Sequence, residues 1–195
     1  NLKTGISKLR SCEGQARGVG RLGSFKTRDP STNLNGALVK AVEVTQQAMA
    51  MSEAPLTFGT IVVFTDGTDV TMLREPWDSM ARGRVYIGDE PTNVGNAWMR
   101  NNMRDPRVRA FIKANPDLPL LNAGVIGGSV GDVENFLSDM LAVYYANPNQ
   151  GTGDNGALNI TAYSERHLAT IEHGPHVTNE FKSYQDNGTC WFAHK

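Results

Sequence analysis

Ile61-Val62-Val63-Phe64-Thr65-Asp66-Gly67-Thr68-Asp69-Val70 is the stretch around which the chain is organised. Its first half is an apolar, β-branched run set between Gly59 and Gly67, the composition of a fully buried strand. Its second half delivers two carboxylates three residues apart. In an α/β sheet ligands collect where parallel strands end, so a buried strand that terminates in acids puts the chemistry at its C-terminal edge. Oxygen ligands at this spacing on a turn can share one hard divalent cation, Mg²⁺ or Mn²⁺, with water and substrate phosphates in the remaining positions. The same pair also reads as an Asx-turn with two solvated acids.

Upstream, residues 1–30 are rich in Gly, Ser, Arg and Lys without sustained periodicity and read as an irregular lead-in, with a short strand near Val19 to Phe25. Behind a capping cluster at Ser31-Thr32-Asn33, the residues Leu38, Val39, Ala41, Val42, Val44 and Ala48 recur at helical spacing. A turn at Pro55 leads into the strand at 60–64, a helix-to-strand unit of α/β type. Downstream, Arg84 to Gly88 predicts a second strand, and residues 93–114 predict helix broken at Asp105-Pro106. Leu118 to Gly128 is apolar and then Gly-rich, which predicts a short strand or a tight backbone approach to a ligand. Asp132 to Tyr145 carries a clear amphipathic stripe through Val133, Phe136, Leu137, Met140, Leu141 and Tyr144. A helix start is expected at Asp154, and short strands and loops after it. These elements give a single α/β domain over 31–195.

With 19 Lys+Arg against 20 Asp+Glu, the formal charge of -1 gives no electrostatic reason to invoke nucleic acid or an anionic membrane. No stretch reaches the roughly 20 apolar residues of a membrane span. The chain opens at Asn1 rather than Met and so reads as a fragment of something longer. Cys12 and Cys190 sit in no paired metal-ligand spacing and read as ordinary thiols or one disulfide. Asn159-Ile-Thr161 and Asn187-Gly-Thr189 fit the glycosylation acceptor pattern, which matters only in a secretory compartment. Secretory pathway, Golgi lumen and cytoplasm all stay open.

Two family resemblances meet at the acidic stretch. Ser31 to Leu38 followed by Val62 to Asp69 resembles the Thr-loop and Asp-Gly strand of von Willebrand factor A domains. That resemblance implies a divalent-ion-dependent protein-binding module using Thr32 and Asp66. It covers only about 31–69, and the upstream Asp-x-Ser-x-Ser element of that family is absent. The second resemblance covers about 61–195 and is to GT-A fold nucleotide-sugar glycosyltransferases, in particular the glycosyltransferase domain of procollagen lysyl hydroxylases and related galactosyltransferases. Phe64-Thr65-Asp66-Gly67-Thr68-Asp69-Val70 is similar to their Asp-x-x-Asp metal motif. Tyr86-Ile87-Gly88-Asp89-Glu90 resembles the next strand with its terminal acid. Leu121-Asn122-Ala123-Gly124-Val125-Ile126-Gly127-Gly128 resembles the segment lining the sugar and acceptor cleft. Asp154-Asn155-Gly156-Ala157-Leu158-Asn159 resembles the helix start facing the donor sugar, and His194-Lys195 the late metal ligand and diphosphate-binding lysine.

This second resemblance implies a GT-A-like mixed sheet flanked by helices, with a short or incomplete nucleotide-binding N-terminal half, since only about 60 residues precede the motif. It implies Mn²⁺ or Mg²⁺ held by Asp66, Asp69 and His194, and a nucleoside-diphosphate sugar, a UDP-sugar foremost, as donor. Asp154 and Asn122 take catalytic and sugar-orienting roles, and Lys195, Gly124, Gly127 and Asn155 contact the donor. The acceptor, whether glycan, protein or small molecule, is not specified, nor is retention or inversion. Residue by residue, blander readings stand beside these: Asp154 as a helix N-cap, Gly124 to Gly128 as a tight turn, and His194-Lys195 as a solvated tail. His167, His173 and His176, with Glu172 and Glu180, lack the spacing of a zinc site and read as a loop touching the cleft. Trp77, Trp98 and Trp191 read as core or cleft-wall aromatics. An inactive α/β scaffold is the third reading of the whole.

Overall fold

The computed structural model describes residues 10–12, 15–17, 61–65, 69–147, 151–178 and 186–194, and the chain divides into two units, Asn1–Val44 and Thr45–Lys195. In the first unit β1 (Arg10–Cys12) and β2 (Gln15–Arg17) form an antiparallel hairpin, with Ser11 opposite Ala16. The expected strand near Val19 to Phe25, the helix through Leu38 to Ala48 and the Thr32 loop lie outside the described residues.

The second unit runs β3 (Ile61–Thr65), β4 (Val70–Met72), β5 (Val85–Asn93), α1 (Ala97–Asn102), α2 (Pro106–Ala114), β6 (Pro119–Ser129), α3 (Val130–Tyr145), α4 (Asp154–Ala162), β7 (Ile171–Glu172) and β8 (Phe192–His194). Its main sheet has the order β3-β6-β5-β7, with β3 and β5 antiparallel to β6 and β7 parallel to β5. β4 and β8 form a separate antiparallel pair. The architecture is α/β, a mixed sheet flanked by helices. Among the described residues no helix is long and apolar enough to cross a membrane.

Two expectations about the opening stretch are corrected. β3 is half-buried with Thr65 exposed, because among the described residues it ends the sheet and has β6 on one side. Its β-branched run reflects strand pairing rather than full burial. Nor do its acids leave a parallel sheet, since β3 runs antiparallel to β6, Ile61 opposite Ser129 and Thr65 opposite Val125.

The centre of the sheet is β6, an 11-residue strand rather than the short one expected. Pro119 opens it at the first position, where a missing N–H is tolerated. Its glycines are where neighbours come too close for a side chain. A Cβ on Gly127 would lie 2.8 Å from Val63 Cγ2, and one on Gly128 (φ +153°) 2.5 Å from the Arg84 carbonyl oxygen. β5 likewise extends past the predicted Gly88 to Asn93. One core gathers Met80, Tyr86, Val125, Val177, Trp191 and Phe192, and a second gathers Val94, Met99, Met103, Val108, Ile112 and Leu120.

α1, α2 and α3 start where side chains replace missing backbone acceptors. Ser129 caps α3 through Asp132 N, and the stripe Val133, Phe136, Leu137 and Met140 is buried as its spacing predicts. The predicted break at Asp105-Pro106 separates α1 from α2: Asp105 caps Arg107 N at 2.8 Å, and Pro106 takes the first turn. Asp105 is wholly buried. Its carboxylate receives the Arg107 guanidinium (Nη2 to Oδ2 2.6 Å) and the Thr152 hydroxyl at 2.7 Å, while Arg107 also donates to the Val143 carbonyl at 3.0 Å. One carboxylate thus ties together α2, the end of α3 and the approach to α4.

Hydrogen bonds from Arg107 hold the Asp105 carboxyl well below the usual carboxylate range, against the opposing effect of burial. A carboxyl with a depressed folded-state pKa adds stability that is present above its unfolded value, near pH ~3.9, and is lost as pH falls below it. Asp105→Ala is therefore expected to cost about 2–3 kcal/mol at neutral pH in denaturant unfolding. The difference from the parent protein should shrink steadily below about pH 4. A difference independent of pH would show that the carboxylate charge is not what stabilises this junction.

Candidate functional site

The site is assembled by the pairing of β4 with β8. Val70 stands opposite His194 in that pair, so Asp69, one residue earlier, arrives beside the end of β8. The approach is locked from several directions: Leu73 N and Arg74 N both donate to the Trp191 carbonyl, at 2.7 and 3.1 Å. The Arg74 guanidinium grips both Asp186 oxygens, at 2.8 and 2.7 Å, and donates to the Cys190 carbonyl at 2.8 Å. Hydrogen bonds from Arg74, and then from Gly188 N, pull the Asp186 carboxyl down to about 2. Cys190 is a buried free thiol, the less reactive state for a cysteine.

His194 is accordingly no solvated tail. It is 5% exposed, and its Nε2 lies 3.7 Å from Asp69 Oδ2. The imidazole rests against the backbone of β6. A Cβ on Gly124 would fall 2.1 Å from His194 Cε1, inside the ring's own volume, so only glycine fits there. The close backbone approach foreseen over Gly124 to Gly128 is real, but the groups that fill it are the protein's own His194, Val63 and Met80.

At that point β6 is bulged. Ile126 pairs with Ile87 and Asn122 with Gly88, which leaves Ala123, Gly124 and Val125 without partners on β5. A bulge bends its strand and re-aims the side chains around it. Asn122 is the last residue paired with β5 before the bulge, and its side-chain amide is held on both sides: Oδ1 accepts from Gly124 N at 2.7 Å, and Nδ2 donates to Glu90 Oε1 at 2.8 Å. A continuous run of contacts passes from Glu90 through Asn122 and Gly124 to His194 and Asp69.

α4 is tied to the same strand. The buried Asn159 accepts from Leu121 N and donates to the Leu121 carbonyl, both at 3.0 Å, so its side-chain amide acts as one more rung beside β6. It also donates to the Asn155 carbonyl at 2.8 Å. Asp154 and Asn155 therefore stand in the first turn of a helix anchored one residue from Asn122. Asp154 is not the N-cap: Gly153 (φ +64°) is, and Asp154 follows it, where a negative charge suits the helix dipole. Gly153 and Gly156 back onto Met103 and Val108.

No family model matches the chain, and no curated protein matches it. The site's chemistry rests on its own donor set. Asp69 and His194 offer a carboxylate oxygen and an imidazole nitrogen, a combination that Mn²⁺ accepts. Adjacent ligands at about 2.1 Å in an octahedral shell stand about 3.0 Å apart, so a separation of 3.7 Å needs a small inward movement to share one ion. Among the described residues no group of three His, Cys, Asp or Glu side chains is placed to hold a metal. Asp66 and Lys195, the remaining expected ligand and phosphate-binding residue, lie outside the described residues.

Other expectations are corrected. The three histidines do not share one loop at the cleft. His167 is buried against Phe136, with Nε2 2.7 Å from Asp139 on α3, whereas His173 pairs with Asp89 at 3.0 Å and His176 sits edge-on to Tyr86 and Trp191. Trp191 is core, but Trp98 is 51% exposed and lines neither core. Asn159 cannot accept a glycan in the folded chain, because its buried amide is spent on Leu121. The Asn187 amide is exposed yet engaged, with Oδ1 capping Cys190 N at 2.7 Å.

In the sequence Glu90 reads only as an acid at a strand end, and Asn159 as the end of the helix-start motif and as a glycosylation acceptor. Two signals were available: an acid two residues after Gly88, and a polar residue on the otherwise apolar face of α4.

Proposed function

We propose that this chain is the metal-binding and sugar-binding part of a GT-A-type glycosyltransferase that moves a hexose from a nucleoside-diphosphate sugar to an acceptor. The observation that supports it most is the meeting of Asp69, His194 and Gly124. Three segments far apart in sequence, each resembling one part of that family's site, share one small volume, and the glycine is required by the histidine ring.

In this reading Asp69 and His194, with Asp66, hold Mn²⁺ or Mg²⁺. The ion when bound supplies a Lewis acid that neutralises charge on the departing diphosphate. Lys195 adds a positive charge to the same leaving group. Asn122, pinned by Glu90 and Gly124 N, has the rigidity to orient a sugar hydroxyl: each amide atom keeps one further hydrogen-bonding position. Asp154, with Asn155 beside it, orients the sugar from the start of α4 or takes the acceptor proton. A UDP-sugar is the donor we place first.

The test is hydrolysis and transfer with a panel of UDP- and GDP-sugars, in Mn²⁺ and in EDTA. Turnover of one donor, dependent on the metal, is expected. Absence of turnover across the panel from a folded chain that binds Mn²⁺ would leave a binding role and sink the enzyme.

A further inference from the structure

We propose that a shallow cleft between α1 and α2, which shares no residue with the site above, binds the phosphate group of a small phosphorylated molecule. The cleft measures about 370 Å³ and is lined by Gly95, Arg100, Arg109, Ile112, Lys113 and Pro116. Three of these six residues are cationic and none is acidic.

The charge is local. Residues 95–117 hold Arg100, Arg104, Arg107, Arg109 and Lys113 against Asp105 and Asp117, five positive and two negative, or +3. The whole chain is -1, so the remainder is -4. Asp105 is buried and committed to Arg107. Among the described residues none of Arg100, Arg109 and Lys113 lies within ion-pair distance of a carboxylate.

Helix electrostatics accounts for part of this arrangement. Arg100 and Lys113 stand in the last turns of α1 and α2, where a cation offsets the negative end of the helix dipole. Arg109 does not: it is mid-helix, four residues before Lys113, where like charges disfavour the helix by a few tenths of a kcal/mol. Arg109 Nε is also already fixed on the Met103 carbonyl at 3.1 Å, so the guanidinium is held in place before any ligand arrives. A pre-set planar guanidinium beside a second guanidinium and an ammonium is the donor arrangement that a phosphate oxyanion fits.

The rest of the wall selects size and kind. Ile112 is buried at 4% exposure, and Gly95 N donates to the Pro116 carbonyl at 2.8 Å, with no room for a Cβ on Gly95, which would lie 2.8 Å from Pro116 Cβ. The wall formed by Gly95, Ile112 and Pro116 is therefore apolar and fixed, and the volume suits one phosphate with a short organic group rather than a polymer track.

The test is an NMR titration of the whole chain in EDTA and low salt with inorganic phosphate and, separately, phenyl phosphate. Following the Gly95, Ile112 and Lys113 amides separates this cleft from the diphosphate position of the other site. Saturable shifts at those amides are expected, with dissociation constants of about 1 mM. Arg100→Ala and Lys113→Ala, both on exposed side chains, should each weaken binding about tenfold. Phenyl phosphate binding about fivefold tighter than inorganic phosphate assigns an organic phosphate ester; equal affinity assigns free phosphate to the same site. Shifts that do not saturate, or binding undiminished in both variants, overturn the proposal. So does an oligonucleotide that displaces phenyl phosphate and binds more tightly, which would make the surface a polyanion track.

Discussion

Asp69→Ala is expected to lower metal-dependent donor turnover by about 10²- to 10³-fold while leaving the fold intact. Asp69 is half-buried, immediately before β4, and the pairing that positions it is made by backbone atoms from Val70 onward. Removing its carboxylate therefore subtracts a proposed ligand without dismantling the strand. The loss should appear in Mn²⁺ affinity, measured by calorimetry, before it appears in thermal unfolding. His194→Ala should match it in Mn²⁺ affinity but cost more stability, because that imidazole is 5% exposed and fills the space over Gly124. An Asp69→Ala protein that binds Mn²⁺ as tightly as the parent would remove this carboxylate from the metal site and, with it, the main support for the glycosyltransferase reading.

Gly124→Ala is the second large effect. One methyl group placed 2.1 Å from His194 Cε1 cannot be absorbed by thermal adjustment. Either the ring leaves the site or the bulge around Asn122 deforms. Overpacking of this kind costs about 1–3 kcal/mol. Because the displaced group is a proposed ligand, Mn²⁺ affinity should fall by about 10- to 100-fold as well, the range seen when the support of a metal ligand is removed. Gly83→Ala is the matched control. Gly83 has φ +74° with nothing within 4 Å of a Cβ, so alanine there carries backbone strain of about 1–2 kcal/mol and no steric clash. It should lower stability and leave Mn²⁺ binding unchanged. Equal Mn²⁺ affinity in the Gly124 variant and this control would dissociate His194 from the metal.

Much of the local structure was legible in the sequence. The apolar run at Ile61 to Thr65, the stripe through Val133, Phe136, Leu137 and Met140, the break at Asp105-Pro106 and the helix start at Asp154 each follow from spacing and chain stiffness within a few residues. The site was legible only in outline. Asp69 carries a spacing signal and Gly124 belongs to a Gly-rich run that signals a close backbone approach, but His194 carries no signal of its own and entered only through the resemblance to a family. The reading went astray where a residue's surroundings come from elsewhere in the chain: the burial of β3, the direction of its neighbour, the separate fates of His167, His173 and His176, and the exposure of Trp98.

The sequence by itself determined the strand at Ile61 to Thr65, the helices around the Asp105-Pro106 break and after Asp132 and Asp154, but neither the hairpin over residues 10–17 nor β4. Only the tertiary structure decided that a histidine near the chain's last residue would be buried against a glycine 70 positions earlier, that Asn159 would serve β6 rather than a glycan, and that Glu90 would hold Asn122. The physical reason is range. Periodicity and capping act across one or two turns, whereas the locks that place His194, such as Arg74 on the Cys190 carbonyl, join residues 116 positions apart and form only when β4 and β8 have paired.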